Sequence, residues 1–456
     1  MRSHQAKRLS PRNNSLNSNA GGKIGPENPT PVHELRFMNT NQSPQSATIV
    51  GSGIVGIACA HYLSEAGLDV TVIDRGTIAG ECSHANCGYI CPSHALPLTE
   101  PGAFSVALKS IFNPRSPFRV KPQISPALWK WMLQFAKRCT HRKMLAAGKP
   151  LHAILEASMS EYHSLIERLS LDCEWKEEGL LYVLQTERGM ESFAKTDRLV
   201  SEEFGIPATR IDGINLPKFD PGLKEGLAGA FLYPNDTSVR PDKLNSQWSA
   251  KLQERGVQFI EKCELKSIRK EAGRIVAIET NRGDFKTDYF VFAMGAWSTK
   301  WESALQCSVP VQPGKGYSVT IEKPEHSPNH AILFPEHKVG VSPFDEGLRF
   351  GSMMEFAGYD TSIPRHRIQQ LRDSARPYLV ASVDGPAQSQ WYGWRPMTWD
   401  SLPIIGTLPE LSNGLLATGH NMLGLSLAPA TGRLIGEIIT GQQTHLDPAP
   451  YSPTRF

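Results

Sequence analysis

The sequence predicts an α/β chain with α+β character: a Rossmann-type nucleotide-binding domain carrying an inserted second domain built on an antiparallel sheet and helices. Three observations predict it. A β-rich run, Ala47-Thr48-Ile49-Val50, leads through Gly51-Ser52-Gly53-Ile54-Val55-Gly56 into an apolar helical stretch to about Ala66, and a second strand, Val70 to Ile73, ends at Asp74. Strand, glycine turn, helix and strand in that order make a βαβ unit. After Asp74 the βαβ pattern stops, and a strand of the same apolar kind, Tyr289 to Ala293, returns only late in the chain. Between residues 310 and 360 apolar and polar residues alternate with turn residues between them, the pattern of a mostly antiparallel sheet.

The whole chain supports a folded protein of this size. Its 456 residues, 40% hydrophobic and 20% charged, give ample material for a core. At about 100 to 200 residues per domain they suggest two to four domains. Lys plus Arg at 48 against Asp plus Glu at 45 gives a net charge of +3 without a dominant basic stretch, which excludes a nucleic-acid footprint. The eight cysteines contain no CxxC pair, so no metal site is expected and the thiols are read as reduced. No apolar run has the length of a membrane span and no secretory signal precedes the first strand, so a cytoplasmic protein is expected, with peripheral contact at the inner face of the membrane left open.

Residues 1 to 45 are rich in Ser, Asn, Pro and basic residues with little apolar periodicity, and are expected to form a disordered tail; Met38 offers a second start. The stretch 92 to 225 is mostly helical in pattern, as in Ala127 to Cys139 and Ile154 to Leu169, with a strand at Gly179 to Leu184. Pro241 to Gly256 reads as a helix, Val257 to Ile260 as a strand, and Ala272-Gly273-Arg274 as the centre of a hairpin. Near the C-terminus, Gly424 to Ser426 precede a helical stretch from Pro429 to Ile439. These elements divide into the tail, a discontinuous nucleotide-binding domain (46–92, 226–305 and 393–456) and a substrate domain (93–225 and 306–392), with no internal repeat.

The glycine turn carries the first chemical statement. Gly51 permits the tight turn, Gly53 lets the backbone approach a pyrophosphate, and Gly56 lets the helix lie close on the sheet, while Ser52, Ile54 and Val55 complete the phosphate-facing segment. Asp74 closes the second strand, where an acidic side chain reaches ribose hydroxyls, with Arg75 following it. FAD and NAD share this turn. The loop Gly80-Glu81-Cys82-Ser83-His84-Ala85-Asn86-Cys87-Gly88 interrupts the βαβ order that a simple NAD domain would continue, and this favours FAD.

Three further segments resemble the FAD-dependent amino-acid oxidoreductases of the D-amino-acid dehydrogenase, glycine oxidase and sarcosine oxidase superfamily, over nearly all of the chain from Ala47 to Ile439. Ser83-His84-Ala85-Asn86-Cys87-Gly88 is similar to the family's S-x-A-N-x-G loop beneath the flavin. Asp288 to Ser298 resembles the strand that ends in A-x-G-x-W-S. The third segment, Gly393-Trp394-Arg395-Pro396 through Pro403-Ile404-Ile405-Gly406, then Thr418-Gly419-His420 and Gly424 to Gly432, is the most specific. The resemblance implies noncovalent FAD held by the glycine turn together with Ser83, Asn86, Gly88, Leu265, Ala293, Gly295, Trp297 and the segment Met422-Leu423-Gly424-Leu425-Ser426. N–H groups at the start of the last helix would face negative charge on the reduced flavin.

Two departures refine the resemblance. Met422 stands where several glycine oxidases carry an Arg, and no Cys stands in the segment where covalent sarcosine oxidases attach flavin. Arg395 is assigned the substrate carboxylate, because a guanidinium grips it with two parallel hydrogen bonds. Tyr317 is the second catalytic candidate. Met354, Glu355 and Tyr392 are weighed as pocket residues but favoured as packing, and His420 as a positioner of its loop. The implied reaction is oxidative deamination of a D-amino acid, or of a cyclic imino acid such as D-proline or D-hydroxyproline, by hydride transfer from Cα to flavin N5, giving the imine or 2-oxo acid. Electrons would pass on to a quinone, an electron-transfer protein or oxygen. A glycine- or sarcosine-type amine oxidase making hydrogen peroxide is the alternative; a flavin-binding module without turnover and an NAD dehydrogenase are the readings from other classes.

Overall fold

The computed structural model describes residues 45–113 and 115–456. Residues 1–44, with Met38 and all but the last position of the expected tail, lie outside the described residues. The fold is mixed α/β, and two sheets organise it.

The first is six-stranded, in the order Ile404–Leu408, Leu411–Thr418, Tyr289–Phe292, Ser46–Val50, Asp69–Ile73, Gln258–Ile260. All neighbours are parallel except the hairpin of the first two. Apolar runs such as Tyr289–Phe292 suit it because both faces are covered. The helix Ile54–Glu65 is apolar almost all round, with Ile57, Ala58, Cys59, Ala60 and Leu63 buried, since it is packed between this sheet and the C-terminal helix Gly424–Thr440. The two helices touch backbone to backbone: a Cβ at Gly432 would lie 2.5 Å from the Ala58 carbonyl oxygen.

The C-terminal helix begins at Gly424, earlier than the Pro429 start read from the sequence. Proline inside a helix leaves the carbonyl four residues back without its partner. Here that carbonyl, Leu425 O, accepts the hydroxyl of Tyr162 at 2.7 Å, so the helix passes through Pro429 with the freed carbonyl satisfied by a side chain. The long helix His141–Leu169 likewise starts well before Ile154, at a Thr140 cap that accepts the Lys143 N–H at 3.4 Å.

The second sheet has nine strands. Its main order is Ala387–Thr398, Val311–Glu322, Gly347–Phe356, Val339–Pro343, Ala331–Phe334, Leu180–Leu184, Gly229–Tyr233, Thr209–Asp212, and Phe118–Val120 pairs with Gly347–Phe356. Its centre is antiparallel, but Ala331–Phe334 with Leu180–Leu184 and Gly347–Phe356 with Phe118–Val120 pair in parallel. Gly229–Tyr233 and all of Ala387–Thr398 belong to this sheet. The helix Arg365–Ala375 covers one face over Val319, Ile321, Phe334 and Phe350. Among the described residues no helix is long and apolar enough to cross a membrane.

One buried carboxyl joins the two halves of the chain. Asp236 is 1% exposed, and its oxygens accept the Ser93 N–H at 3.0 Å and the Ser93 hydroxyl at 2.5 Å. Burial pushes its pKa up to about 7, against the lowering hydrogen bonds from Ser93 and Cys91. The folded protein therefore keeps a proton that an unfolded chain releases at about 4, so this group's contribution to stability is full below that pH and is lost as pH rises through about 7. Asp236→Asn should flatten that slope: thermal unfolding at pH 5 and pH 8 is expected to show a smaller fall in Tm than for the wild type. An equal fall in both proteins would assign the pH dependence to other groups.

Candidate functional site

A cavity of about 860 Å³ runs from the C-terminal ends of the parallel strands to the face of the nine-stranded sheet. At its first end the chain leaves Val50 through Gly51, whose N–H donates to Ile73 O at 2.8 Å, while Ala293 N–H donates to Val50 O at 2.8 Å. Three strand ends thus meet within one hydrogen bond of each other, the crevice where open parallel sheets bind ligands.

The three glycines of the turn meet different demands. Gly51 has φ +109°, and a Cβ there would lie 2.5 Å from Ala293 O. A Cβ at Gly56 would sit 1.9 Å from Gly51 O. Both positions are fixed by the protein's own backbone, and Gly56 does not line the cavity. Gly53 does line it, and a Cβ there would meet only Ser83 Oγ, at 3.3 Å. Its lack of a side chain leaves room on the cavity side.

Ser52 is buried outside the lining. Its N–H and hydroxyl both donate to Asp74 Oδ2, at 2.7 and 2.9 Å, and the Gly76 N–H donates to Oδ1 at 2.7 Å. Asp74 lines the cavity with one lone-pair direction still unused. Ile54 and Val55 line it as well, and the Ile54 N–H at the helix start donates to Ser83 Oγ at 3.0 Å. Arg75 lies over the Trp297 ring at 3.8 Å and pairs with Glu81 at 2.9 Å. Leu265, Ala293, Gly295 and Trp297 complete this end.

The loop carrying Ser83, Asn86 and Gly88 crosses the middle of the cavity, and the nine-stranded sheet holds it by its carbonyls. Ser318 Oγ donates to Ala85 O at 2.7 Å, Arg349 Nη1 to Asn86 O at 2.9 Å and Ser342 Oγ to Cys87 O at 2.6 Å. Within the loop, Asn86 Oδ1 accepts the Gly88 N–H at 2.8 Å. Opposite it, Met422, Leu423, Gly424 and Leu425 line the cavity, and Ser426 does not: its hydroxyl donates to Tyr89 O and accepts the Cys91 N–H, both at 3.2 Å. His420 is held to the helix by Thr431 Oγ1 at 3.0 Å, and burial pushes its pKa down to about 3, so it stays neutral.

At the far end stands Arg395, on the strand Ala387–Thr398, with its guanidinium lying across Gly316 of the adjacent strand. A Cβ at 316 would lie 2.5 Å from Arg395 Nη1. Nη1 donates to Met353 O at 2.5 Å; among the described residues no carboxylate pairs with the group. Burial lowers its pKa, while the nearby Cys82 and Cys87 thiols act in the opposite sense. Tyr317 also lines the cavity, its hydroxyl donating to Glu355 Oε2 at 2.8 Å, and burial and then Glu355 raise its pKa. Glu355, Met354 and Tyr392 stay outside the lining. The structure adds residues that the sequence reading left out of the site: Cys82, Cys87, Trp391, Trp394 and His94, whose Nε2 lies 2.6 Å from the Tyr182 hydroxyl. The signals were the position of Cys82 and Cys87 inside the loop motif and of Trp394 beside Arg395 in the most specific segment; His94 had none.

Comparison with known proteins extends the geometry. The family model described as FAD dependent oxidoreductase matches residues 46–438. The chain is 31% identical over 417 residues to the D-amino acid dehydrogenase of Agrobacterium fabrum, covering 90% of this chain and 99% of that one. It is 31% identical over 414 residues to the D-amino acid dehydrogenase of Granulibacter bethesdensis, again covering 90% and 99%. Among solved structures, the glycine oxidase of Geobacillus kaustophilus superposes with a TM-score of 0.71 at 22% identity, covering 90% of this chain and 99% of that one, a likeness of fold.

FAD fits these residues: the open side of Gly53, the helix start at Ile54 and the length of cavity from Leu265 to Arg395 are what an extended dinucleotide with a buried ring needs. Gly53→Val, whose branched side chain meets little protein, should fold with an unchanged circular dichroism spectrum yet purify without its yellow flavin. Gly56→Val should lose fold and flavin together. Stoichiometric flavin in Gly53→Val would move the pyrophosphate away from this turn.

Proposed function

The chain belongs to the family of FAD-dependent oxidoreductases, and from that premise we propose that it is a D-amino-acid dehydrogenase that deaminates its substrate oxidatively at the Arg395 end of the cavity. The observation that carries the reading is the guanidinium of Arg395: it borders the cavity, one of its nitrogens is fixed by the Met353 carbonyl, and its other N–H groups face no protein carboxylate among the described residues. Such a group suits an amino acid's carboxylate, which would bring its own charge to a site that lacks one. The D-configuration follows the names of the relatives at 31% identity. Cyclic imino acids such as D-proline and D-hydroxyproline fall within the same class.

The residues supply orientation. Arg395 fixes the carboxylate and therefore the direction in which Cα points, and Gly316 leaves the space in which the guanidinium lies flat. Tyr317, its hydroxyl held by Glu355, is the second proposed catalytic residue and lines the cavity together with Trp394. Bound FAD supplies the acceptor for the hydrogen and electron pair that leave Cα. The amine takes part as the free base, since an ammonium has no lone pair to donate. Loss of two electrons leaves an iminium, which water hydrolyses to the 2-oxo acid and ammonia. A dehydrogenase passes the electrons to a quinone or an electron-transfer protein rather than to oxygen. By sheet membership, the domain division we propose assigns Gly229–Tyr233 and Ala387–Thr398 to the substrate domain and the six-stranded sheet to the cofactor.

Anaerobic titration with D-amino acids, L-amino acids, glycine, sarcosine and D-hydroxyproline should bleach the visible flavin band with a D-substrate. Bleaching by glycine or sarcosine alone, with peroxide formed in air, would shift the reading to an amine oxidase. Arg395→Ala should keep its flavin and lose about 100-fold or more in kcat/KM, the scale of a forfeited bidentate charged contact. Unchanged kinetics would remove Arg395 from the substrate site.

A further inference from the structure

On the cavity side of the nine-stranded sheet one row of residues runs straight across neighbouring strands. Ser318, Gly351, Gly340, Leu333 and Tyr182 stand opposite one another in turn, so they share a face. The first four line the cavity. The Arg395 guanidinium lies over Gly316, two residues before Ser318 and therefore on the same face, at one end of the row. Past Arg395 the cavity thus continues along the sheet, by Gly351, Gly340 and Leu333, toward Tyr182.

His94 closes that arm. It lines the cavity, and its Nε2 lies 2.6 Å from the Tyr182 hydroxyl, with the two rings edge-on at 6.2 Å. Its place is fixed from the backbone side: the Cys91 N–H donates to Ser426 Oγ at 3.2 Å, and Ser93 is bound through its N–H and its hydroxyl to Asp236. Tyr182 is held in turn by the rings of Tyr233 and Phe193, with centroids 5.3 and 5.0 Å away. Nε2 is thus engaged, while Nδ1 has no hydrogen-bond partner among the described residues. Burial pushes the pKa of the ring down to about 4, so it is neutral at pH 7.

The walls leading to His94 offer little else that is polar. Leu333 is apolar, and Tyr89 spends its hydroxyl on the Ile332 and Val341 carbonyls at 2.7 and 3.1 Å. An arm with one free nitrogen at its end discriminates by hydrogen bonding. An apolar side chain would leave the imidazole buried and unpaired, and a charged one would find no counter-ion in a neutral ring. Length is selected too. Met353, whose carbonyl holds Arg395, stands three strand steps from Tyr182, about 14 Å at the usual spacing of neighbouring strands. A side chain that reaches His94 from a carboxylate on Arg395 is therefore a long one.

We propose that His94 determines substrate specificity: with the carboxylate on Arg395, its free nitrogen binds the far end of the side chain and favours D-amino acids that end in a neutral hydrogen-bonding group such as a carboxamide. The inference rests on the D-amino-acid dehydrogenase reading and deepens it. With a soluble dye acceptor, the wild type should show a kcat/KM for D-glutamine about tenfold or more above those for D-methionine, its apolar match in length, and D-glutamate, its charged match in shape. His94→Phe should keep its flavin content and visible spectrum and lower the ratio of D-glutamine to D-methionine about tenfold, chiefly through the KM for D-glutamine. Tyr182→Phe, which leaves His94 in place without its anchor, should lower the same ratio by a smaller factor. A ratio left unchanged by His94→Phe would overturn the proposal, and an altered flavin spectrum with that unchanged ratio would put His94 against the cofactor instead. Reduction of the flavin by D-methionine with no preference for D-glutamine sinks this inference alone. Failure of every D-amino acid to reduce it sinks the dehydrogenase reading as well.

Discussion

Everything in this molecule depends on how closely three strand ends meet at the edge of the six-stranded sheet. Val50, Ile73 and Phe292 deliver the chain to one point, and the turn after Val50 passes so near Ala293 that position 51 has no room for a side chain. The helix that follows sits so near the turn that position 56 has none either. These contacts bring N–H groups and Asp74 to the mouth of a crevice before any ligand is present. The Ser52 bonds to Asp74 then hold strand and turn in one register. A cofactor site made this way is preorganised by backbone packing, which side-chain mobility does not disturb.

The second sheet completes what the first cannot supply. It holds the crossing loop by three consecutive carbonyls, at Ala85, Asn86 and Cys87, so the middle of the cavity is fixed from the nine-stranded sheet. That arrangement makes the two ends of the cavity interdependent. A shift of Arg349 or Ser318 would move this loop in the cavity wall, and the same sheet carries Arg395 and Tyr317.

The parts of the fold set by local signals were legible in the sequence. The βαβ unit, the hairpin at Ala272–Gly273, where both residues have positive φ, and the helix after Pro241 are encoded by neighbouring residues. What was hidden depends on distant partners. The start of the last helix was misplaced because the proline rule holds only where the freed carbonyl has no other donor, and Tyr162 supplies one from 263 residues away. The parallel pairing of Leu180–Leu184 with Ala331–Phe334 likewise has no local mark. In the site, Gly53 was readable from the glycine turn and Asn86 and Arg395 by resemblance, and the structure brings them to one cavity. Ser52, Gly56 and Ser426 belong to the same motifs yet face the protein, because a motif records which residues recur and not which way each points. His94 reaches the cavity through the fold alone.

Two charged side chains close together here show how burial separates structure from function. Glu355, 6% exposed, is surrounded: Arg119 at 3.1 Å and Arg367 at 3.4 Å reach one oxygen, and Tyr317 donates to the other. Its desolvation is offset within the protein, so it acts as a brace, and removing any one partner would leave the others unbalanced. Arg395, two strands away in the same sheet, has one backbone carbonyl and no counter-ion among the described residues. Burial without a protein counter-ion lowers its pKa, whereas Glu355 has its charge met on both oxygens. This asymmetry between Glu355 and Arg395 is what supports the proposal that a ligand carboxylate pairs with Arg395.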